Sequence, residues 1–144
     1  MTWILDTTVV SEIRRKDANP AVLAWLDEHA LHSTFLSVVT VGEIQAGISR
    51  LPVSRRKEEL QVWVQNDVIG LWAARILELD LAVLLEWGRM TGDASSRGRT
   101  LPILDSFLAA TARVHGLTVV TRNARDFTDC GVSAENPWEF GAGG

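Results

Sequence analysis

Four carboxylates stand along the 144-residue chain where an α/β fold could gather them: Asp6, Glu43, Asp105 and Asp126. Carboxylates held a few ångströms apart repel by on the order of several kcal/mol at an intermediate effective dielectric, so such a group needs a cation or shared protons. A hard, oxygen-seeking ion such as Mg²⁺ is the natural counterion, held by one or two carboxylates and keeping waters for chemistry; Mn²⁺ suits the same ligands. A metal held this way lowers the pKa of bound water and polarises a phosphoryl oxygen, which is what phosphodiester hydrolysis requires. Nearby carboxylates can orient or deprotonate the attacking water.

Each acid also has a local explanation. Thr40-Val41-Gly42-Glu43 matches a capping box, in which Glu at the third helical position bonds back to the cap residue. Asp105 could favour the positive end of its helix dipole, and Asp126 could do the same three residues after a capping Asn123. Thr7 and Thr8 both suit the N-cap of the helix after the first strand, which leaves Asp6 spare. Other chemistries fit less well. His29, His32 and His115 form no triad pattern and read as structural or surface residues, and the chain has neither a Gly-x-Ser-x-Gly elbow nor a phosphate-cradling glycine loop. An acidic-pocket phosphatase would use a strand-end Asp as nucleophile, but Asp6-Thr7-Thr8 lacks a second Asp two residues on. A non-catalytic module that uses the acids only to bind a metal or partner is the third alternative.

The elements that must position these acids alternate. Trp3-Ile4-Leu5 reads as a strand with Asp6 at its C-terminal end, followed by helices over about Val9 to Arg15 and Pro20 to Glu28. Thr34 to Ser37 reads as a strand, and a helix from Val41 to about Leu51 puts Glu43 in its first turn. A helix over Ser54 to Gln65, with a weaker pattern through Trp72, precedes a strand at Arg75 to Leu79 and a helix capped by Asp80 from Leu81 to about Thr91. Gly92 to Thr100 reads as a loop; Pro102 then opens a helix from Ile103 to His115, ended by Gly116, and Leu117 to Thr121 is the clearest strand. Short strands separated by helices imply an α/β fold with a mostly parallel sheet covered on both faces. In such sheets ligands bind beyond the C-terminal ends of the strands.

A hydrophobic content of 47% is enough for one core, so residues 1–140 are expected to form one domain with 141–144 as a flexible tail. No apolar run reaches the roughly 20 residues of a membrane helix, and the first residues lack the basic start of a signal peptide; a cytoplasmic protein with no membrane partner is expected. The single Cys130 is expected to be a buried small apolar residue. A net charge of −4 argues against a globally basic nucleic-acid surface, but leaves room for a local one. Its candidates are Arg14, Arg15 and Lys16, then Arg89, Arg97 and Arg99, then Arg122 and Arg125. Trp25, Trp63, Trp72 and Trp87 lie in apolar helical patterns that suit core or subunit-interface packing more than stacking on bases.

Four segments in order, Ile4 to Glu12, Leu36 to Ile44, Asp105 to Ala112 and Thr121 to Phe127, closed by Asn136-Pro137-Trp138, resemble the PIN-domain family. More narrowly, they resemble the VapC-type ribonuclease toxins of type II toxin–antitoxin modules. The resemblance implies a three-layer PIN-like α/β/α fold and a Mg²⁺-dependent endoribonuclease. It implies Asp6, Glu43 and Asp105 as metal ligands, Asp126 as the fourth catalytic acid, and support from Thr7, Thr121 and Asn123. It further implies an RNA substrate and a cognate VapB-like antitoxin that blocks the site. A homodimer would also cover the amphipathic surface. Thr8 stands where these proteins usually have Asn, and Asn123 where some have Asp.

Overall fold

The computed structural model describes residues 1–96, 98 and 101–141. Its strands are β1 (Trp3–Leu5), β2 (Thr34–Ser37), β3 (Ile76–Leu77), β4 (Thr118–Val120) and β5 (Ala134–Glu135). Alternate residues of a strand face opposite sides of a sheet, and here that period divides the core in two. Leu5, Leu36 and Val120 enter one buried cluster with side chains of α1 (Thr7–Ile13), α2 (Pro20–Glu28), α3 (Val38–Ser49) and α4 (Arg55–Trp63). Ile4 and Val119 enter the other with Leu108, Ala109 and Ala112 of the later helix Ile103–His115. The result is the expected helix, sheet, helix layering.

The strand order is β3-β2-β1-β4-β5, and every pair is parallel. From the central β1 the chain first builds outward through β2 and β3, then returns to β1's other edge with β4. Crossovers therefore diverge at β1 and β4, which opens a crevice beyond their C-terminal ends. Asp6 leaves β1 and Thr121 leaves β4 at that place.

Helix starts follow local capping. Asn19 caps α2 ahead of Pro20, and the Ser54 hydroxyl accepts from Lys57 N at the start of α4. After Trp63 that helix runs through a π turn at Val64–Ile69 into α5 (Gly70–Trp72). Asp80 accepts from Val83 N at the start of α6 (Leu81–Ser96). Gly116 ends α7 (Ile103–His115) at φ 67°, a left-handed conformation that glycine adopts without steric cost. α8 (Ala124–Thr128) follows β4.

Several boundaries differ from the sequence expectation. The Gly92–Thr100 loop is helical through Ser96, because α6 packs along α7 and tertiary contact overrides a polar composition; residues 97, 99 and 100 lie outside the described residues, as do 142–144 of the expected tail. Only Ile76 and Leu77 of the expected strand pair with β2, since the Arg75 side chain turns to the carbonyls of Thr34 and Leu71. β5 was not expected at all. Its two residues are too few to show a period, and it exists because Thr121 N and Val119 N donate to it and to Ser133. Trp25 and Trp72 are buried in the first cluster, as expected, whereas Cys130 is only half-buried. No described helix is long and apolar enough to cross a membrane.

Candidate active site

Asp6 itself caps α1. Its Oδ1 accepts from Val9 N at 3.2 Å, and Thr7 is already the first helical residue. The acid that looked spare is therefore built into the helix start, in place of either threonine. Both threonines are used otherwise. The Thr8 hydroxyl donates to Asp6 Oδ1 at 2.5 Å, and the Thr7 hydroxyl donates to Glu43 at 2.7 Å. From β4, the Thr121 hydroxyl donates to Asp6 Oδ2, also at 2.5 Å. One oxygen of Asp6 is thus oriented from α1 and the other from the residue that follows β4.

The supporting hydroxyls are themselves held. Asn123 N donates to Thr121 Oγ1 at 3.0 Å and Arg122 N to Thr8 Oγ1 at 3.4 Å. Each hydroxyl accepts a backbone N–H and so directs its one proton at Asp6. Thr8 was noted in the sequence as a possible N-cap and as a departure from Asn. It provides the same kind of polar support through its hydroxyl, and that role could have been inferred from a short donor two residues after a strand-end acid.

Glu43 does not belong to a capping box. α3 begins at Val38, with the Ser37 hydroxyl accepting from Val39 N at 3.0 Å, so Glu43 falls inside the helix rather than in its first turn. The Thr40 signature misplaces the start because β2 ends at Ser37, which can cap at once. Released from capping, the Glu43 side chain meets Thr7. Asp105 lies in the first turn of α7, as expected.

Asp6, Thr7, Thr8, Glu43, Asp105 and Asn123 line one pocket of about 80 Å³ at the crevice. Asp126 is exposed and outside that lining, though close enough for its charge to act on Asp105. Asn123 occupies the cap position of α8, but its side chain makes no cap bond, so its support comes from its backbone N–H. Thr121 is buried behind Asp6 instead of facing the pocket.

Two of the acids are shifted, and only one of them by its neighbours' charges. Burial holds Asp6 above the usual carboxylate range, against the opposing hydrogen bonds from Thr121, Thr8 and Val9. Burial also raises Asp105, and the negative charges of Asp6, Glu43 and Asp126 raise it further. A proton or a cation would relieve both groups. Among the described residues, no three acidic, histidine or cysteine side chains stand together as a ready-made metal cage. The donor set is all-oxygen, so it fits a hard divalent ion with water completing the shell.

This field has a measurable consequence for the protein freed of cations. A folded carboxylate with a raised pKa binds its proton more tightly than the unfolded chain does, so ionisation costs stability as pH rises through the folded pKa. Below the ordinary value of 3.8 both states are protonated and the cost vanishes. Asp105→Asn is therefore expected to raise Tm at pH 7 in EDTA, by roughly 2–4 °C for each kcal/mol of repulsion relieved. The gain should fade as pH drops below 4. Thermal melts across pH check this, and a gain that is largest in acid would contradict it.

With this geometry established, similar proteins identify the chain. The PIN domain family model matches residues 3–131. The toxin FitB of Neisseria gonorrhoeae is 36% identical over 135 residues, covering 94% of this chain and 97% of that protein. The plasmid stability protein StbB of Pseudomonas syringae pv. tomato is 35% identical over 136 residues (94% and 98%), and the VapC ribonuclease Y4jK of Sinorhizobium fredii 33% over 136 (94% and 97%). The solved structure of FitAB bound to an IR36 DNA fragment superposes with a TM-score of 0.91 at 33% identity, covering 99% of this chain and 100% of that one. The chain belongs to the PIN-domain family, in the group that includes FitB and the VapC ribonucleases.

Proposed function

We propose that the protein is a metal-dependent endoribonuclease, the toxin of a type II toxin–antitoxin pair, with Mg²⁺ as the working ion and Mn²⁺ as a substitute. The observation that carries this reading is the convergence of Asp6, Glu43 and Asp105, with Asp126 at the rim, beyond the strand ends of a PIN-domain chain. The names of its relatives support it: one is called a ribonuclease and another a toxin.

Asp6, Asp105 and Glu43 would hold the ion, which when bound supplies charge neutralisation at the phosphate and a more acidic water. The chain's own work is orientation. Thr8 and Thr121 keep Asp6 in one rotamer, and Thr7 keeps one oxygen of Glu43 occupied while the other remains for the site. Asp126, exposed and near enough for its charge to act on Asp105, would accept a hydrogen bond from the attacking water. A phosphatase using Asp6 as nucleophile fits less well, because Asp6-Thr7-Thr8 lacks the second Asp two residues on that such a site uses.

The partners follow from the same reading: single-stranded or loop RNA as substrate, a small VapB-like antitoxin that covers the site, and a second copy of the chain in a homodimer, all in the cytoplasm. The solved FitAB structure, which is bound to an IR36 DNA fragment, supports a partnered assembly.

The test is cleavage of a broad RNA panel, structured RNAs included, by protein purified away from its partner. Activity in Mg²⁺ or Mn²⁺ that EDTA abolishes is expected; no cleavage under any of these conditions overturns the proposal. Thr121→Val is expected to cost about 10–100-fold in activity or ion affinity, the usual effect of removing a hydrogen bond that orients a metal ligand. It also leaves Asn123 N without its acceptor, so rates must be corrected for the folded fraction.

A further inference from the structure

Beside the acid pocket runs a second, larger cleft of about 440 Å³ between α3 and α7. The two share Val39, Glu43 and Leu104, so anything bound at the acids extends naturally into the cleft. Its walls are apolar, from Leu79, Leu104 and Phe107, and among the described residues its one cation is Arg50. Phe107 is backed by Trp87, ring centroids 5.1 Å apart, and Trp87 is anchored by its Nε1 donating to Ser106 at 2.8 Å. The aromatic wall is therefore braced from behind. Arg50 is exposed and makes no ion pair among the described residues. It lies two helical turns beyond Glu43 on α3, a rise of about 10 Å.

We infer that this cleft is a nucleotide subsite of the RNA substrate, in which Arg50 binds a phosphate next to the scissile one and a base lies against Phe107 and Leu104. The inference rests on the ribonuclease reading of the acid cluster. Its physical basis is charge. A chain of net charge −4 with four acids at its reaction centre repels a polyanion unless a cation stands nearby, and Arg50 is the cation in a cleft continuous with those acids. Apolar and aromatic walls suit any base, because every base has a π face.

Gly42 offers an independent steric probe. It lines the cleft, and a Cβ built there meets nothing within 4 Å. Gly42→Leu should leave Tm at or above that of the wild type, because glycine inside a helix is unfavourable, while its side chain fills the cleft.

The experiment measures KM and kcat for a single-stranded RNA oligonucleotide in Mg²⁺, with anisotropy of the same fluorescein-labelled RNA in EDTA over a salt series. Arg50→Ala is expected to raise KM and Kd about tenfold, with kcat within about twofold, as for one lost charge-assisted contact. Its log Kd against log salt slope should fall by about 0.7–1, the share of one phosphate contact. Arg50→Lys should recover most of both, and Gly42→Leu should raise KM while the thermal melt shows an intact fold. If both Arg50→Ala and Gly42→Leu leave KM, Kd and slope unchanged while wild type cuts RNA, the subsite is overturned and the ribonuclease reading stands. If they spare RNA but weaken antitoxin binding, the cleft is a protein-docking site and the inference is likewise overturned. A wild type that neither binds nor cuts RNA overturns the parent reading itself.

Discussion

Asp6→Asn is expected to lower RNA cleavage by on the order of 10³-fold, the equivalent of several kcal/mol of lost charge stabilisation at 1.36 kcal/mol per tenfold. The substitution preserves shape, so the loss would be electrostatic. It removes the negative charge of the most buried of the four acids and puts an amide NH₂ where an oxygen now accepts. That amide must face a threonine hydroxyl whose proton already points at it, because Thr8 and Thr121 each accept a backbone N–H on their other side. One hydroxyl would have to turn away, and the side chain would lose its fixed orientation as well as its charge. Single-turnover cleavage by purified wild type and variant, with Mg²⁺ and with EDTA, measures the effect. Calorimetric titration with Mg²⁺ should show binding to wild type and little to the variant. Cleavage at the wild-type rate would remove Asp6 from the mechanism.

The second large effect is on stability and arises in the aromatic cluster around Trp25. Trp25 is 1% exposed, stacks on His29 at 3.8 Å, meets the edge of Trp3 at 5.5 Å and points its Nε1 at Glu135. Trp25→Ala is expected to cost about 3–5 kcal/mol, from lost burial and the cavity left behind. In a chain of this length that lowers Tm by roughly 6–20 °C. The Glu135 carboxylate keeps the Trp3 indole as donor at 2.7 Å, so no orphaned charge adds to the loss. Because Trp25 lines neither the acid pocket nor the cleft beside it, cleavage per folded molecule at low temperature should be unchanged. Urea unfolding with a parallel rate measurement separates the two. A variant that is stable but inactive would mean that the aromatic cluster supports the site directly.

How far the sequence reached depends on the range of the interaction concerned. Asp80, Ser54 and Gly116 mark helix ends by contacts within a few residues, and their elements were legible. Where two local signals competed, the sequence misled. Thr40-Val41-Gly42-Glu43 satisfies a capping rule, yet Ser37 starts α3 earlier because the strand before it ends there. The same holds for Asp6, Thr7 and Thr8, three adjacent residues all able to cap, of which the fold uses the acid. α6 outran its expected end because the helix packs along α7, a contact that composition does not express.

By itself the sequence determined the alternation of short strands and helices, the placing of Asp6 after the first strand, and the order of acids that resembles a nuclease family. These are properties of residue type and near spacing. Only the tertiary structure decided that Thr121 reaches Asp6 across 115 residues, that Thr8 joins it on the other oxygen, and that Asp126 stays at the rim. Those facts depend on the parallel register of β1 against β4, Leu5 opposite Val120, which sets both strand ends side by side. Register comes from the packing of two cores on either face of the sheet, and no local period along the chain encodes it.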